Sequence, residues 1–442
     1  MQARPYSKLE ITVWAAATFA AVLASYSAFR PVRDALILDG DPEQLPWVFL
    51  GTFTAISVAS PLWSALLARR APRGFVPWAF HAFAAGAVVF FVLVRTGLAP
   101  VTIGRVFYVW SAVFNLFVVS VFWSLLADLL GPSTAQKLYG PIAAGGTIGT
   151  LVGPALTGLL VGTIGVAGVL LMSAVLLELA VIGVIRVRRL AEGIAAPAEA
   201  VEQPPGGGAF TGIAYVARSP YLAAIVGYVL CTACAATFMY LGQARVVHDA
   251  LADRVARTSY FASVDWWTAV VTFGLQAVVA GPAIRRLGPG LVLAVLPVVQ
   301  LIGISTLTWA PSLTGLAIVM VIGKAATHGL TRPARELLFT VVTRDEKYRA
   351  KHAIDTIGYR LGDLASSWLY KGLLALKAGA GVVVGASLPL VAAWLALASV
   401  LGVGFRRRAA RAAAAHEPAR EPTAALAAAP APAPHQTAKE LP

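Results

Sequence analysis

The 442-residue chain is 58% hydrophobic and only 13% charged, with a mean hydropathy of +0.75. A soluble domain is nearer half apolar and a quarter charged, so this composition excludes a soluble globular enzyme and reads as an integral membrane protein. The formal net charge of +14 is what cationic loops on one side of a membrane produce, and a nucleic-acid partner is not expected.

The apolar runs are continuous over about 20 residues instead of alternating over ten, which selects helices over a β-barrel. The first run follows Arg4 and Lys8 with no small-residue cleavage site after it, so a retained helix is expected. Twelve spans fit, near 9–29, 46–68, 75–95, 101–130, 137–162, 166–187, 217–244, 258–281, 290–309, 313–342, 350–376 and 383–405. Basic residues follow the even-numbered spans: Arg69, Arg70 and Arg73, Lys137, Arg186 to Arg189, Arg285 and Arg286, Arg344 to Lys351, and Arg406 to Arg411. That bias places both termini in the cytoplasm of a bacterial-type inner membrane. Residues 190–215, with PAEAVEQPPGGG at their centre, read as a linker between a six-helix half at 1–189 and another at 216–408. The Ala/Pro-rich residues 409–442 are expected to be a disordered tail.

The halves repeat each other. YSAFRPVRDAL (26–36) matches YLGQARVVHDAL (240–251), pairing Arg30 with Arg245 and Asp34 with Asp249. LARRAPRG (67–74) matches AIRRLGPG (283–290), and TIGTLVGP (147–154) matches TIGYRLGD (356–363). Three matches in one order imply two parallel repeats, the plan of a major-facilitator-type secondary transporter, in which substrate sits between halves that rock against each other.

The most polar intramembrane stretch is 323–363. Lys324, His328, Arg332 and Arg335 recur at helical spacing, with Glu336 beside the last; Asp355, Tyr359 and Asp363 recur at spacings of four on the next helix, which also carries Arg360. An ionisable group at the bilayer centre costs at least ~2.5 kcal/mol, so this cationic stripe is expected to look into protein or water, as an anion path would. Arg335 is the foremost candidate, since guanidinium grips phosphate bidentately. Trp266, Trp267, Tyr359 and Trp368 either stack a base or pack as ordinary membrane aromatics. Glu178, alone in the sixth span, reads as a structural partner, and Cys231 and Cys234 as buried small side chains. No phosphate-binding glycine loop, metal-ligand set or nucleophile–base set is legible, so neither enzyme nor cofactor is expected.

YSAFRPVRDAL, FWSLLADLLGPSTAQKLYGPIAAGGTIGTLVGP and RPARELLFTVVTRDEKYRAKHAIDT together resemble the ATP:ADP antiporter (nucleotide transporter) family of plastids and intracellular bacteria, and more closely its relatives in free-living bacteria. The resemblance implies substrate contacts at Arg33, Asp34, Asp128, Arg335 and Glu336. Arginines stand here where the family has lysines, and an aspartate where it has the helix-four glutamate. A further family glutamate falls near Thr258, with Asp265 close by.

The combined expectation is an all-α membrane protein that moves a nucleotide or other phosphorylated metabolite by alternating access, as a monomer. Substrate would meet Arg33, Asp34, Asp128, Lys324, His328, Arg332, Arg335 and Glu336, with Arg30, Arg245, Asp249, Asp355, Arg360 and Asp363 gating or coupling. The alternatives are a proton-coupled exporter using Asp128 and His328, and a membrane scaffold or sensor. A scaffold should pair nearly every intramembrane cation with a carboxylate, whereas an anion carrier should leave several facing water.

Overall fold

The computed structural model describes residues 8–68, 75–130, 132–191, 216, 218–309, 312–343, 346, 359–376 and 380–416. Its helices are α1 (Lys8–Leu36), α2 (Leu45–Ala68), α3 (Phe75–Thr96), α4 (Pro100–Leu129) and α5 (Pro132–Ala191), then α6 (Pro220–Ala250), α7 (Arg254–Gly274), α8 (Gly281–Trp309), α9 (Leu313–Ala326), α10 (Arg332–Leu338), α11 (Tyr359–Ala375) and α12 (Ala380–His416). A π-helical turn at Leu275–Ala280 joins α7 to α8, and another at Thr327–Thr331 joins α9 to α10.

Among the described residues, nine segments are long and apolar enough to cross a membrane, and two of these are hairpins. The 60 residues of α5 would reach about 90 Å if straight, three times a bilayer core. Gly165, at φ 72°, breaks it. The first arm runs parallel to α1, with Gly145, Gly149 and Gly153 against Ala16, Ala20 and Ala24. The second arm runs back along α1, where Ser25 Oγ donates to Ser173 O (2.8 Å) and Gly183 faces Thr18. Gly288, at φ 78°, makes the equivalent turn in α8. Beyond it Gln300 meets Gly323 and Gly303 meets Val319, antiparallel to α9. Only glycine takes a positive φ without steric cost, which is why both hairpins turn there. Seven single crossings and two hairpins make eleven crossings among the described residues, and α11, whose described part has 17 residues, makes the twelfth.

Six crossings precede the 192–215 segment and six follow it. One apolar core joins α1, α3, α4 and α5; a second joins α6, α8, α9, α10 and α12; a third combines residues 35–48 with residues 239–264 and Leu316 and Met320. Gly153 of TIGTLVGP and Gly362 of TIGYRLGD occupy corresponding places. Gly153 abuts α1, the first helix of its half, and Gly362 abuts Ala233 of α6, the first helix of the other. Gly404, near the end of α12, packs on Tyr221 at the start of α6, and α6 runs parallel to α1. The start of α1 and the end of α12 therefore share one face of the molecule. α12 continues to His416, past the expected boundary at 408, because RRRAARAAAAH is made of strong helix formers.

Candidate functional site

The C-terminal ends of α1 and α6, the two copies of the first repeat, meet at the seam between the halves. α1 extends to Leu36, beyond the expected end near 29, so Arg30, Arg33 and Asp34 lie within a packed helix and not at its frayed end. Snorkelling to the membrane surface does not explain them. Arg30 donates from both Nε and Nη2 to Asp265 of α7, with Nε to Oδ2 at 2.8 Å, so a bidentate ion pair crosses the seam. Lys324 of α9 approaches the same carboxylate at 3.5 Å. Asp265 is 5% exposed, against 30% for Arg30 and 27% for Lys324. A few residues further along α1, Arg33 donates to Asp34 Oδ1 (2.9 and 2.6 Å), and Tyr240 of α6 donates its hydroxyl to the same oxygen at 3.1 Å. The Arg33 guanidinium lies 4.7 Å over the Tyr108 ring.

Of these groups Arg33, Lys324, Tyr108 and Tyr240 line a cavity of about 280 Å³, together with Phe49, Thr237, Met239, Gln300, Met320, Gly323, Thr327 and Asp363, among others; Arg30, Asp34 and Asp265 lie behind its wall. Phe49 sits 6.0 Å from both Tyr108 and Tyr240, centroid to centroid, which gives the cavity an aromatic wall. Thr237 donates to Asp363 at 3.1 Å. Cation, flat ring and polar acceptor in one chamber suit a ligand with an anionic head and an apolar or aromatic body.

The stripe read from 324 to 335 does not form one face. The π turn at Thr327–Thr331 inserts an extra residue into the helix, so spacings of four and three no longer keep one azimuth across it. Lys324 faces the cavity, while Arg332 is exposed without a carboxylate partner among the described residues. Arg335 is 7% exposed and lies 3.8 Å from Glu336, away from the cavity lining. The half-buried His328 lies in the turn itself, and its carbonyl accepts from Gln276 of the facing π turn at 3.1 Å. Arg335→Ala is therefore expected to lower stability by ~1–3 kcal/mol through loss of a buried polar side chain, visible as a lower melting temperature of the purified protein.

Asp128 is exposed near the end of α4, away from the cavity. Asp355 lies outside the described residues, as does the Arg360 side chain. Glu178 pairs with His81 at 2.9 Å, the structural partnership expected of it. Trp368 packs on Trp47 across the seam at 4.8 Å, and Trp266 on Trp267; the cavity's aromatics are instead Phe49, Tyr108 and Tyr240. Nothing in the sequence singles out those three, because aromatics in membrane helices are usually packing. Asp265 carries no local signal either, because Arg30, its partner, is 235 positions away.

At the end of the seam opposite the termini, Asp39 binds Arg254 (2.9 Å) and Arg257 (3.7 Å), and the Leu38 carbonyl accepts from Arg257 at 2.9 Å and lies 3.0 Å from His248 Nδ1. Arg245 reaches Glu43 at 3.8 Å. Asp249 is exposed beside a second cavity of about 290 Å³ with Asp39, Glu43 and Arg245 in its wall. The halves are thus latched at this end.

Residues 295–405, from the second arm of α8 to most of α12, match the profile of the TLC ATP/ADP transporter family. Over that stretch the chain is similar to the TLC ATP/ADP transporters. Their matched stretch includes Lys324, Arg335, Glu336 and Asp363, and leaves Arg30, Arg33 and Asp265 outside it. No curated protein matches the chain in sequence. Solved structures match nearly its full length. The nucleoside transporter NupG does so at 13% identity and a TM-score of 0.60, over 91% of this chain and 98% of that one. A bacterial homologue of the human lysosomal transporter Spinster, inward-facing and unoccupied, does so at 16% and 0.55, over 93% and 96%. An inward-facing bacterial homologue of the iron transporter ferroportin does so at 13% and 0.56, over 92% and 100%. At such identities the likeness establishes the fold alone, a multi-helix membrane architecture of the major facilitator type.

Proposed function

We propose that this protein is a secondary transporter of phosphorylated organic anions, with a nucleotide as the favoured substrate, and that its two six-helix halves rock about the seam to give alternating access. The observation that carries the reading is the seam cavity, where Arg33 from one half and Lys324 from the other reach a single chamber walled by Phe49, Tyr108 and Tyr240. A phosphate group meets both cations there, and an adjoining ring meets the aromatic wall. The TLC match over 295–405 supports this substrate class. The basic residues after the even-numbered spans support an inner-membrane location with both termini in the cytoplasm. In that orientation the Asp39 latch closes the outer side.

A thermal-stability screen of the purified protein against nucleotides, sugar phosphates and inorganic phosphate tests the reading. A ligand at 100 times its Kd should add ~2.7 kcal/mol. At least one phosphorylated compound is expected to stabilise the protein, and Lys324→Ala should abolish that gain. Stabilisation by uncharged or cationic solutes alone would overturn the reading.

A further inference from the structure

The seam is charge-balanced. Arg33 pairs with Asp34, Arg30 and Lys324 share Asp265, and Asp363 in the cavity wall accepts from Thr237, so three cations and three carboxylates lie in and beside the cavity. This departs from the surplus of water-facing cations expected of an anion carrier. The physical reason is that an uncompensated cation in a low-dielectric seam costs several kcal/mol, so an empty carrier must supply its own counter-ions. An entering anion gains little from cations already neutralised unless one of those carboxylates gives way.

The three carboxylates are not equivalent. Asp34 is held by the adjacent Arg33 on its own helix and by Tyr240, and Asp363 by Thr237. Asp265 is different. It is the carboxylate on which a cation from each half converges: Arg30 of α1 in a two-pronged pair, and Lys324 of α9, which also lines the cavity. Lys324 opens onto the cavity and Arg30 keeps 30% of its side chain exposed, while Asp265 is nearly buried, so the cations are the accessible members of the cluster. The bidentate geometry at Arg30 is the one a phosphate would take up.

We propose that Asp265 stands in for an anionic group of the substrate in the empty transporter, and that a phosphate group binds by drawing Lys324 and Arg30 away from it. Because Arg30 and Asp265 belong to opposite halves, the same exchange of partners unties the seam at the level of the cavity. Ligand binding and release of the halves then become one event. This inference rests on the function proposed above and assigns Asp265 the part of internal competitor.

The test is equilibrium binding of ADP to the purified full-length protein, to Asp265→Asn and to Asp265→Glu, with inorganic phosphate as a second probe. Removing the competing charge should tighten ADP binding at least tenfold in Asp265→Asn. Asp265→Glu, which retains the charge, should stay within about threefold of the unaltered protein. An aspartate that merely held helices together would give the opposite: weaker binding in Asp265→Asn, or none. Should Asp265→Asn fail to fold, Arg30→Gln with and without Asp265→Asn carries the same comparison through Lys324, and the double variant should bind tighter than the single one. If the unaltered protein binds ADP and neither comparison shows tightening, the inference is overturned while the transport reading stands. If no phosphorylated compound binds either protein, both fall together.

Discussion

Gly149→Val is expected to leave almost no folded protein. A Cβ at Gly149 would lie 2.2 Å from the Ala20 carbonyl oxygen, and one at Gly145 2.3 Å from that of Ala16. Together with Gly153 these glycines form a small-residue stripe at helical spacing that lets α5 touch the backbone of α1. The neighbouring atoms are main chain, so no rotamer change relieves the clash and the helices must separate. The cost is on the order of 3 kcal/mol or more. It would show as loss of the monodisperse peak in detergent chromatography and of a cooperative melt. Gly158→Ala is the control, since its Cβ meets only Ala262 at 3.9 Å and should change stability by less than about 0.5 kcal/mol. A normal melt for Gly149→Val would refute the contact between α1 and α5. The consequence reaches the seam, because α1 carries Arg30 and Arg33 and α5 holds it in place.

Opening the latch is the second large effect. Asp39→Asn removes the carboxylate shared by Arg254 and Arg257 at the end of the seam opposite the termini. Arg257 keeps its bonds to the Leu38 and Leu251 carbonyls, so the fold should survive while closure at that end weakens. A loss of about 1.4 kcal/mol in the closed state would raise the open population tenfold. Thr237→Cys, in a background with Cys231 and Cys234 replaced by serine, reports this from the cavity wall. Its labelling by a membrane-impermeant thiol reagent added to that side should quicken about tenfold in Asp39→Asn. An unchanged rate would mean that the ion pairs are incidental and that apolar packing of residues 35–48 on residues 239–264 alone closes the seam.

Local composition was enough to establish the membrane class, the helical content and the six-plus-six plan, because each depends on runs and repeats within a few dozen residues. Apolar stretches of bilayer length specify helices whatever they pack against. The match of TIGTLVGP with TIGYRLGD was legible as a repeat, and the tertiary structure adds that Gly149 and Gly153 let α5 touch the backbone of α1 while Gly362 packs on Ala233 of α6. Pairing across the seam was another matter. Arg30 and Asp265 are 235 positions apart, and nothing local to either says that α1 and α7 bring them together. The stripe from Lys324 to Arg335 was legible as charge but not as geometry, because the π turn at Thr327–Thr331 depends on packing against its counterpart at Leu275–Ala280, where Gly329 meets Leu275. Residue types and their periods declare what a helix can carry. Which charges end up facing one another, and which look into the cavity, is decided only when the helices settle into one arrangement, because a buried charge such as Asp265 is stable only where cations from other helices reach it.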